Sequence, residues 1–287
     1  MNDKKDFFLD EILSQPQVLR AVLERYAEFE TPLQPLRRMI EENKFDRILL
    51  TGMGSSHHAL YPACIHLNDH GVPAVMIETS ELLHYRRGLI SERTLLVIVS
   101  QSGETVEARK LLDVVGDGTF TLGITNCPES SVATRSDLSL DMAAGPERGP
   151  SSKTYTTSLL VLLLGAMALT SGIDRQQTQG LHAAIDAVQG VLDRWEENTE
   201  QLADFLGRVD SLYLIGRGPS LASAMTGALI VQETAKMYAV GMSAGQFRHG
   251  PLEVASPGFA AVVFAPPGQT NQLNRRLADD IDRKSVV

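Results

Sequence analysis

Short apolar runs alternate with amphipathic stretches along most of this chain. Thr94–Val99 has no polar face after its first residue, the pattern of a parallel strand buried on both sides. Behind it Val106, Leu111, Val114 and Val115 recur at helical spacing. Similar strands are predicted from Arg47, over Val72–Glu78 and over Phe120–Thr125, with a short fifth at Ser139–Met142. A helix over His57–Asn68 separates the first two strands. Strands alternating with helices predict an α/β fold with a doubly wound parallel sheet, whose ligands bind beyond the carboxyl ends of the strands.

The flanking segments extend this picture. Leu9, Ile12, Leu13, Val18, Leu19 and Leu23 predict helix up to about Asn43, with a break at Pro16. Leu159–Leu169 reads as a buried helix, too short for a bilayer span of about 20 residues. Thr178–Leu206 reads as one further helix. The pattern then restarts. Asp210–Ser220 repeats the order of strand, Gly-x-Gly and serine seen over Arg47–Ser56, which suggests two tandem sister domains. Ala260–Ala265 is that unit's counterpart to the organising strand, Pro266–Thr270 its corner and Asn271–Lys284 the next helix. Only Ser285, Val286 and Val287 follow. The expectation is therefore a second sheet truncated at its carboxyl end, with an exposed edge. The divisions expected are a helical segment over 1–43, a first domain over 44–172, a linking helix over 173–206 and an incomplete second domain over 207–287.

A composition of 43% apolar and 21% charged residues is that of a globular protein, and 287 residues suffice for two ordinary cores. The net charge of −9 argues against a nucleic-acid surface, which needs clustered Lys and Arg. It permits a small anion held locally. Cys64 and Cys127, the only cysteines, read as two buried thiols in a reducing compartment, hence cytoplasm. The start, Met1–Asp6, leads into an amphipathic segment without a signal-peptide core.

The candidate chemistry sits at two corners. Ser100-Gln101-Ser102-Gly103-Glu104-Thr105 joins the organising strand to its helix with three hydroxyls, where free N–H groups and the helix dipole suit a phosphate. The plainer reading is a helix cap made by Ser102, but a cap needs one hydroxyl. Gly52-Met53-Gly54-Ser55-Ser56 forms a second serine-bearing turn at a strand end. Among the histidines, His57 and His58 face different ways on a helix, His66 and His70 share a face, and no metal site is expected.

These turns, with Ser151-Ser152-Lys153-Thr154-Tyr155-Thr156 and Phe247-Arg248-His249-Gly250-Pro251-Leu252, stand in the order found in double sugar-isomerase (SIS) proteins. From Arg47 to Pro267 the chain resembles the isomerase half of glutamine–fructose-6-phosphate aminotransferase (glucosamine-6-phosphate synthase) and the free-standing amino-sugar-phosphate deaminases and deglycases. The resemblance implies that Gly54, Ser55, Ser56, Ser100, Gln101, Ser102 and Thr105 hold the sugar phosphate. It implies that Ser151, Ser152 and Lys153 contact the sugar, although Glu147 to Lys153 is one residue shorter than in the family. Glu233, sixteen positions before His249, would be the base moving a proton between C1 and C2. His249 would open the ring, in the partner subunit's site of a homodimer. No cofactor is implied. The family's lysine-bearing tail has no clear counterpart, although Lys284 stands before a Ser-Val pair. With no cysteine nucleophile in the residues before the repeat, the expectation is that this chain does not hydrolyse glutamine.

Read without the resemblance, Glu233 lies in a largely apolar helix, where a partly shielded carboxylate would suit a proton-transfer base, and is equally a salt-bridge partner of Lys236 or a residue of an exposed face; His249 is a turn histidine. Two functions stay open. One is a phosphosugar isomerase or deaminase acting on an amino-hexose 6-phosphate. The other is a sensor that binds sugar phosphate without turnover. A regulator of transcription would carry a helix-turn-helix, for which the amino-terminal segment is too short and acidic.

Overall fold

The computed structural model describes residues 7–207, 209–256 and 258–285. The reading of Met1–Asp6 and of the last two valines lies outside them. Contacts divide the chain into two compact units, Met1–Gly190 and Val191–Val287.

The first unit opens with three helices, α1 (Phe7–Leu13), α2 (Gln15–Glu24) and α3 (Tyr26–Glu41). Pro16 sits in the first turn of α2, where its missing N–H costs no hydrogen bond. There follow β1 (Arg47–Gly52), α4 (Gly54–His58), α5 (Leu60–Asp69), β2 (Ala74–Glu78), α6 (Thr79–Tyr85), β3 (Thr94–Val99), α7 (Val106–Val114) and β4 (Phe120–Thr125). After them come α8 (Ser131–Arg135), β5 (Leu138–Asp141), α9 (Lys153–Leu169) and α10 (Arg175–Leu192). All five strands are parallel, in the order β2-β1-β3-β4-β5.

Alternation along the strands supplies two apolar faces. Ile48, Leu50, Leu95, Val97 and Val99 pack with Leu19, Leu23, Leu33, Leu36 and the α9 residues Val161 and Leu164. Leu49, Leu96 and Ile98 pack on the other side with Leu82, Leu111 and Val132. Burial on both faces explains why β1 and β3 read as unbroken apolar runs. α9, apolar on all sides, is buried along nearly its whole length. The buried face of α7 is Ala108, Leu111 and Leu112, whereas Val106 and Val114 are exposed, contrary to expectation.

The second unit comprises α11 (Trp195–Leu206), β6 (Ser211–Gly216), α12 (Ser220–Ala235), β7 (Ala239–Ser243), α13 (Ala244–Arg248), β8 (Phe259–Val263) and α14 (Asn271–Ser285). Its three strands among the described residues are parallel in the order β7-β6-β8, so β8 lies at an edge. Leu212 and Leu214 pack on Ala224 and Ala228 of α12, while Ile215 faces Phe247 and Leu277. Both sheets are thus parallel and covered on both faces, as an α/β fold requires.

Three elements differ from the sequence reading. The helix expected over His57–Asn68 is two helices meeting at Ala59, because the Pro62 ring crowds the carbonyl four residues earlier. The helix expected over Thr178–Leu206 breaks between Leu192 and Trp195, where Asn198 Nδ2 donates to the Val191 carbonyl at 3.0 Å. β7 went unrecognised because Gly241 interrupts its apolar pattern. A side chain there would lie 2.5 Å from the Met225 Cα of α12, so the glycine is what allows helix and strand to approach.

The two Gly-x-Gly turns have matching geometry. Gly52 ends β1 with Ser56 and His57 backbone atoms 3.0–3.1 Å from an added Cβ; at the end of β6, Gly216 faces Ser220 and Leu221 backbone at 2.6–3.0 Å. Gly54 and Gly218 have φ of 52° and 54°. Gly216→Ala is expected to cost about 1–3 kcal/mol, since rigid backbone must move, whereas Gly116→Ala, with open space around it, should be neutral within about 0.5 kcal/mol. Urea unfolding of the two variants measures the difference.

Candidate functional site

β1 and β3 are neighbours, yet β1 leads outward to β2 while β3 begins the march to β5. The crevice between their carboxyl ends is therefore the topological switch point of the first sheet. Gly52 pairs with Val99 in register, so the turns following them emerge side by side. Between them lies a cavity of about 240 Å³. Met53, Ser55 and Ser56 line it from one turn, and Ser100, Gln101, Ser102 and Thr105 from the other. A third wall comes from Glu147, Gly149 and Ser151, in the connection before α9.

The Ser100–Thr105 corner is held by its own backbone. Gly103 N donates to Ser100 O and Ser100 Oγ, both at 3.1 Å, and Asn126 N donates to Gln101 O at 3.0 Å. Gly103 has φ 64°, and an added Cβ would sit 1.9 Å from Ser130 Oγ, so no other residue fits. Ser100 Oγ and Thr105 Oγ1 are 3.2 Å apart. Thr105 occupies the N-cap position of α7 without a side-chain cap bond. Ser102 Oγ accepts from Glu104 N at 3.2 Å rather than capping the helix. The capping reading therefore fails, and the hydroxyls stand beside helix-start N–H groups that lack intrahelical partners.

Charge is steered away from this corner. The Glu104 carboxylate accepts from Ser131 N and Oγ at 2.6 and 3.0 Å, and these bonds, with the Arg109 guanidinium nearby, hold it below the usual carboxylate range. On the third wall, Glu147 Oε1 accepts from Ser152 N, Ser152 Oγ and Thr154 N at 3.0–3.2 Å, and Oε2 accepts from Thr154 Oγ1. Glu147 thus satisfies the start of α9 and still faces the cavity.

The structure brings Ser55, Ser56, Ser100, Gln101, Ser102, Thr105 and Ser151 together around one cavity. Gly54 supplies its turn without lining it. Ser152 and Lys153 are buried and do not line it either, because Glu147 draws Ser152 inward to the helix start. The sequence reading missed Met53, Val99, Glu147 and Gly149 as lining residues. An acid a few residues before a helix start was the one available sign of Glu147.

Glu233 and His249 lie in the second unit, and both are exposed. α12 ends at Ala235, and Lys236, at φ 55°, sends its ammonium to the Glu233 carbonyl at 2.7 Å, not to its carboxylate. Of the readings of Glu233, the shielded base and the salt bridge to Lys236 are absent, and the exposed face is the one observed. His249 stands between two ion pairs, Arg248–Asp280 at 2.7 Å and Lys284–Glu253 at 2.6 Å. Lys284 is accordingly occupied in fastening α14 to the segment after His249. Cys64 is buried but Cys127 is exposed on the turn after β4, a correction to the expected pair of buried thiols; both are free. His66 and His70 do share a face, stacked with ring centroids 4.1 Å apart. Among the described residues no group of three or more His, Cys, Asp or Glu is placed to hold a metal, and no helix is long and apolar enough to cross a membrane.

A family model for the SIS domain matches residues 40–168 and 206–284. The chain is 34% identical over 273 residues to a glutamine–fructose-6-phosphate aminotransferase (isomerizing) of Pyrococcus horikoshii, covering 92% of this chain and 44% of that protein. A protein of the same name from Sulfurisphaera tokodaii is 30% identical over 276 residues, covering 95% and 45%. This chain thus spans about half the length of the curated relatives it matches. Its fold is similar to the C-terminal domain of glucosamine-fructose-6-phosphate aminotransferase from Francisella tularensis, with a TM-score of 0.85 at 24% identity over 99% of this chain and 82% of that one.

One electrostatic consequence attaches to α4, which carries Ser55 and Ser56. Burial, with a contribution from His57, pushes the His58 imidazole down to about 4. A depressed folded-state value means stability is fully present above the unfolded value of about 6.5 and is lost as pH falls through about 4. Because His58 is partly exposed the loss should be on the order of 1 kcal/mol. His58→Gln is expected to flatten the urea midpoint between pH 6.5 and 4, measured against the parent protein.

Proposed function

The chain belongs to the SIS domain family, and from that premise we propose that it binds an amino-hexose 6-phosphate at the β1/β3 switch point and catalyses C1–C2 proton transfer as a phosphosugar isomerase or deaminase. The observation that carries this reading is the convergence of Ser55, Ser56, Ser100, Ser102 and Thr105 on one cavity beside the start of α7. Hydroxyls and backbone N–H groups bind a phosphate dianion with short charge-assisted bonds, and a helix of nine residues adds its dipole. The opposite wall suits a different group. Glu147 and Ser151 present a carboxylate and a hydroxyl, acceptors for the hydroxyls or ammonium of an amino sugar. Such polarity would orient the ligand with its phosphate at the serine corner. The glutamine–fructose-6-phosphate aminotransferases among the relatives support the same substrate class.

In this reading Gly54 shapes the phosphate turn, and Ser152 and Lys153 hold the wall next to the sugar. Glu233 is the base of the proton transfer and His249 the ring-opening acid–base group. A homodimer, in which His249 serves the partner's site, is part of the same proposal. Two free cysteines, one of them exposed, suit a reducing compartment such as the cytoplasm.

The exposure of Glu233 favours a second reading, a sensor that binds sugar phosphate without turning it over, because a proton-transfer base works best shielded from water. Turnover assays on glucosamine 6-phosphate and fructose 6-phosphate, with Glu233→Gln as control, separate the two. The isomerase or deaminase reading requires turnover that Glu233→Gln abolishes; saturable binding with no turnover selects the sensor.

Binding itself has a direct test. Ser102→Ala with Thr105→Ala should weaken glucosamine 6-phosphate about tenfold or more for each hydrogen bond lost to the phosphate. The melting temperature of the free protein should change little, since neither hydroxyl caps a helix. Calorimetry showing unchanged affinity would remove the phosphate from this corner.

A further inference from the structure

α1 buries one residue, and that residue is a carboxylate. Glu11 is 7% exposed in a helix whose two phenylalanines, two leucines and isoleucine remain partly or wholly open to solvent. Its Oε1 accepts from Arg148 N at 2.7 Å and its Oε2 from Gly149 N at 3.1 Å. Around this pair the contact is close. The Arg148 guanidinium lies 4.7 Å over the Phe7 ring, and a Cβ on Gly149 would come within 2.9 Å of Phe8 Cδ2 and 3.2 Å of Glu11 Oε2. Arg148 and Gly149 belong to the segment whose Glu147, Gly149 and Ser151 form the third wall of the cavity.

From these contacts we infer that α1 is a clamp on the cavity's third wall and that Glu11 is a positioning residue for the sugar end of the ligand; the inference rests on the function proposed above. Burying a carboxylate is costly unless hydrogen bonds compensate it, and two backbone N–H groups of one segment provide that compensation. Those N–H groups gain acceptors in return. The wall is thereby held from two directions. Glu147 ties it forward to the start of α9, and Glu11 ties it back to α1. The serine corner has bracing of its own, from Asn126 and Ser130 on the β4 side. Loosening the clamp should therefore weaken recognition of the sugar while leaving recognition of phosphate intact. A helix that merely added stability would affect neither or both.

Glu11→Gln keeps the side chain's size but sets an amide NH₂ against one of the two backbone N–H groups. Three measurements test the clamp. Hydrogen exchange at the Arg148 and Gly149 amides should accelerate about tenfold. Affinity for glucosamine 6-phosphate should fall about tenfold, as expected when a wall is displaced by a fraction of an ångström. Affinity for inorganic phosphate should stay unchanged. Unaltered exchange overturns the clamp. Accelerated exchange with equal effects on both ligands overturns the positioning role. If the parent protein binds neither ligand, the proposed function fails, and the positioning role fails with it, while exchange still decides whether the clamp exists. Phe7→Leu, at a 44% exposed residue, removes only the ring beneath Arg148 and guards against misfolding of the first variant. It should accelerate exchange at Arg148 and lower sugar-phosphate affinity by a smaller factor, with no change in either counting against the clamp.

Discussion

The first unit depends on how closely β1 and β3 approach at Gly52. An added Cβ there would lie 3.1 Å from the Val99 carbonyl on one side and 3.0 Å from the Ser56 backbone on the other. Parallel pairing of the two strands, the sharp turn into α4 and the side-by-side exit of both serine corners all require this residue to lack a side chain. The strand order then does the rest. β1 and β3 diverge at their carboxyl ends into connections on opposite sides, and the crevice between them is the cavity.

Carboxylates around the cavity serve as structural acceptors, which reconciles an acidic protein with the anion site proposed for it. Glu104, Glu147 and Glu11 each take N–H groups from the segments that form or brace the walls. Their charge is matched locally, by Ser131 and Arg109 for Glu104 and by helix-start or loop amides for the other two. The serine corner is left as the neutral, donor-rich part of the lining. Net charge of −9 therefore says little about what this crevice can hold.

The central strands β1, β3 and β4 were legible because each is buried on both faces, so the apolar run and the turn that ends it coincide with the element; the edge strands β2 and β5 are buried only in part. Both serine corners were legible for the same reason: they follow such runs directly. β7 was not, because Gly241 is required for contact with α12 and erases the pattern that would mark a strand. The break at Ala59 follows from a proline ring, and the one between α10 and α11 carries a bond from the Asn198 side chain to the Val191 carbonyl; neither is visible to periodicity. Glu11 was illegible in principle. An acid in an amphipathic terminal helix reads as solvent-facing, and its burial follows from a loop more than a hundred residues away.

Glu233 shows where sequence pattern and environment part. Apolar neighbours in sequence suggested shielding, yet α12 is packed against the sheet mainly through Ala224 and Ala228. The last turn, Val231 excepted, projects beyond that contact, and Lys236 ends it by taking a left-handed conformation. The proposed phosphate recognition and proton transfer would consequently be separable tasks. The first would rest on the backbone of one sheet. The second would need water to be excluded around Glu233, and its own helix does not exclude it. Catalysis by Glu233 would therefore require shielding that α12 does not supply, whereas the proposed phosphate corner needs nothing beyond the turns of the first sheet.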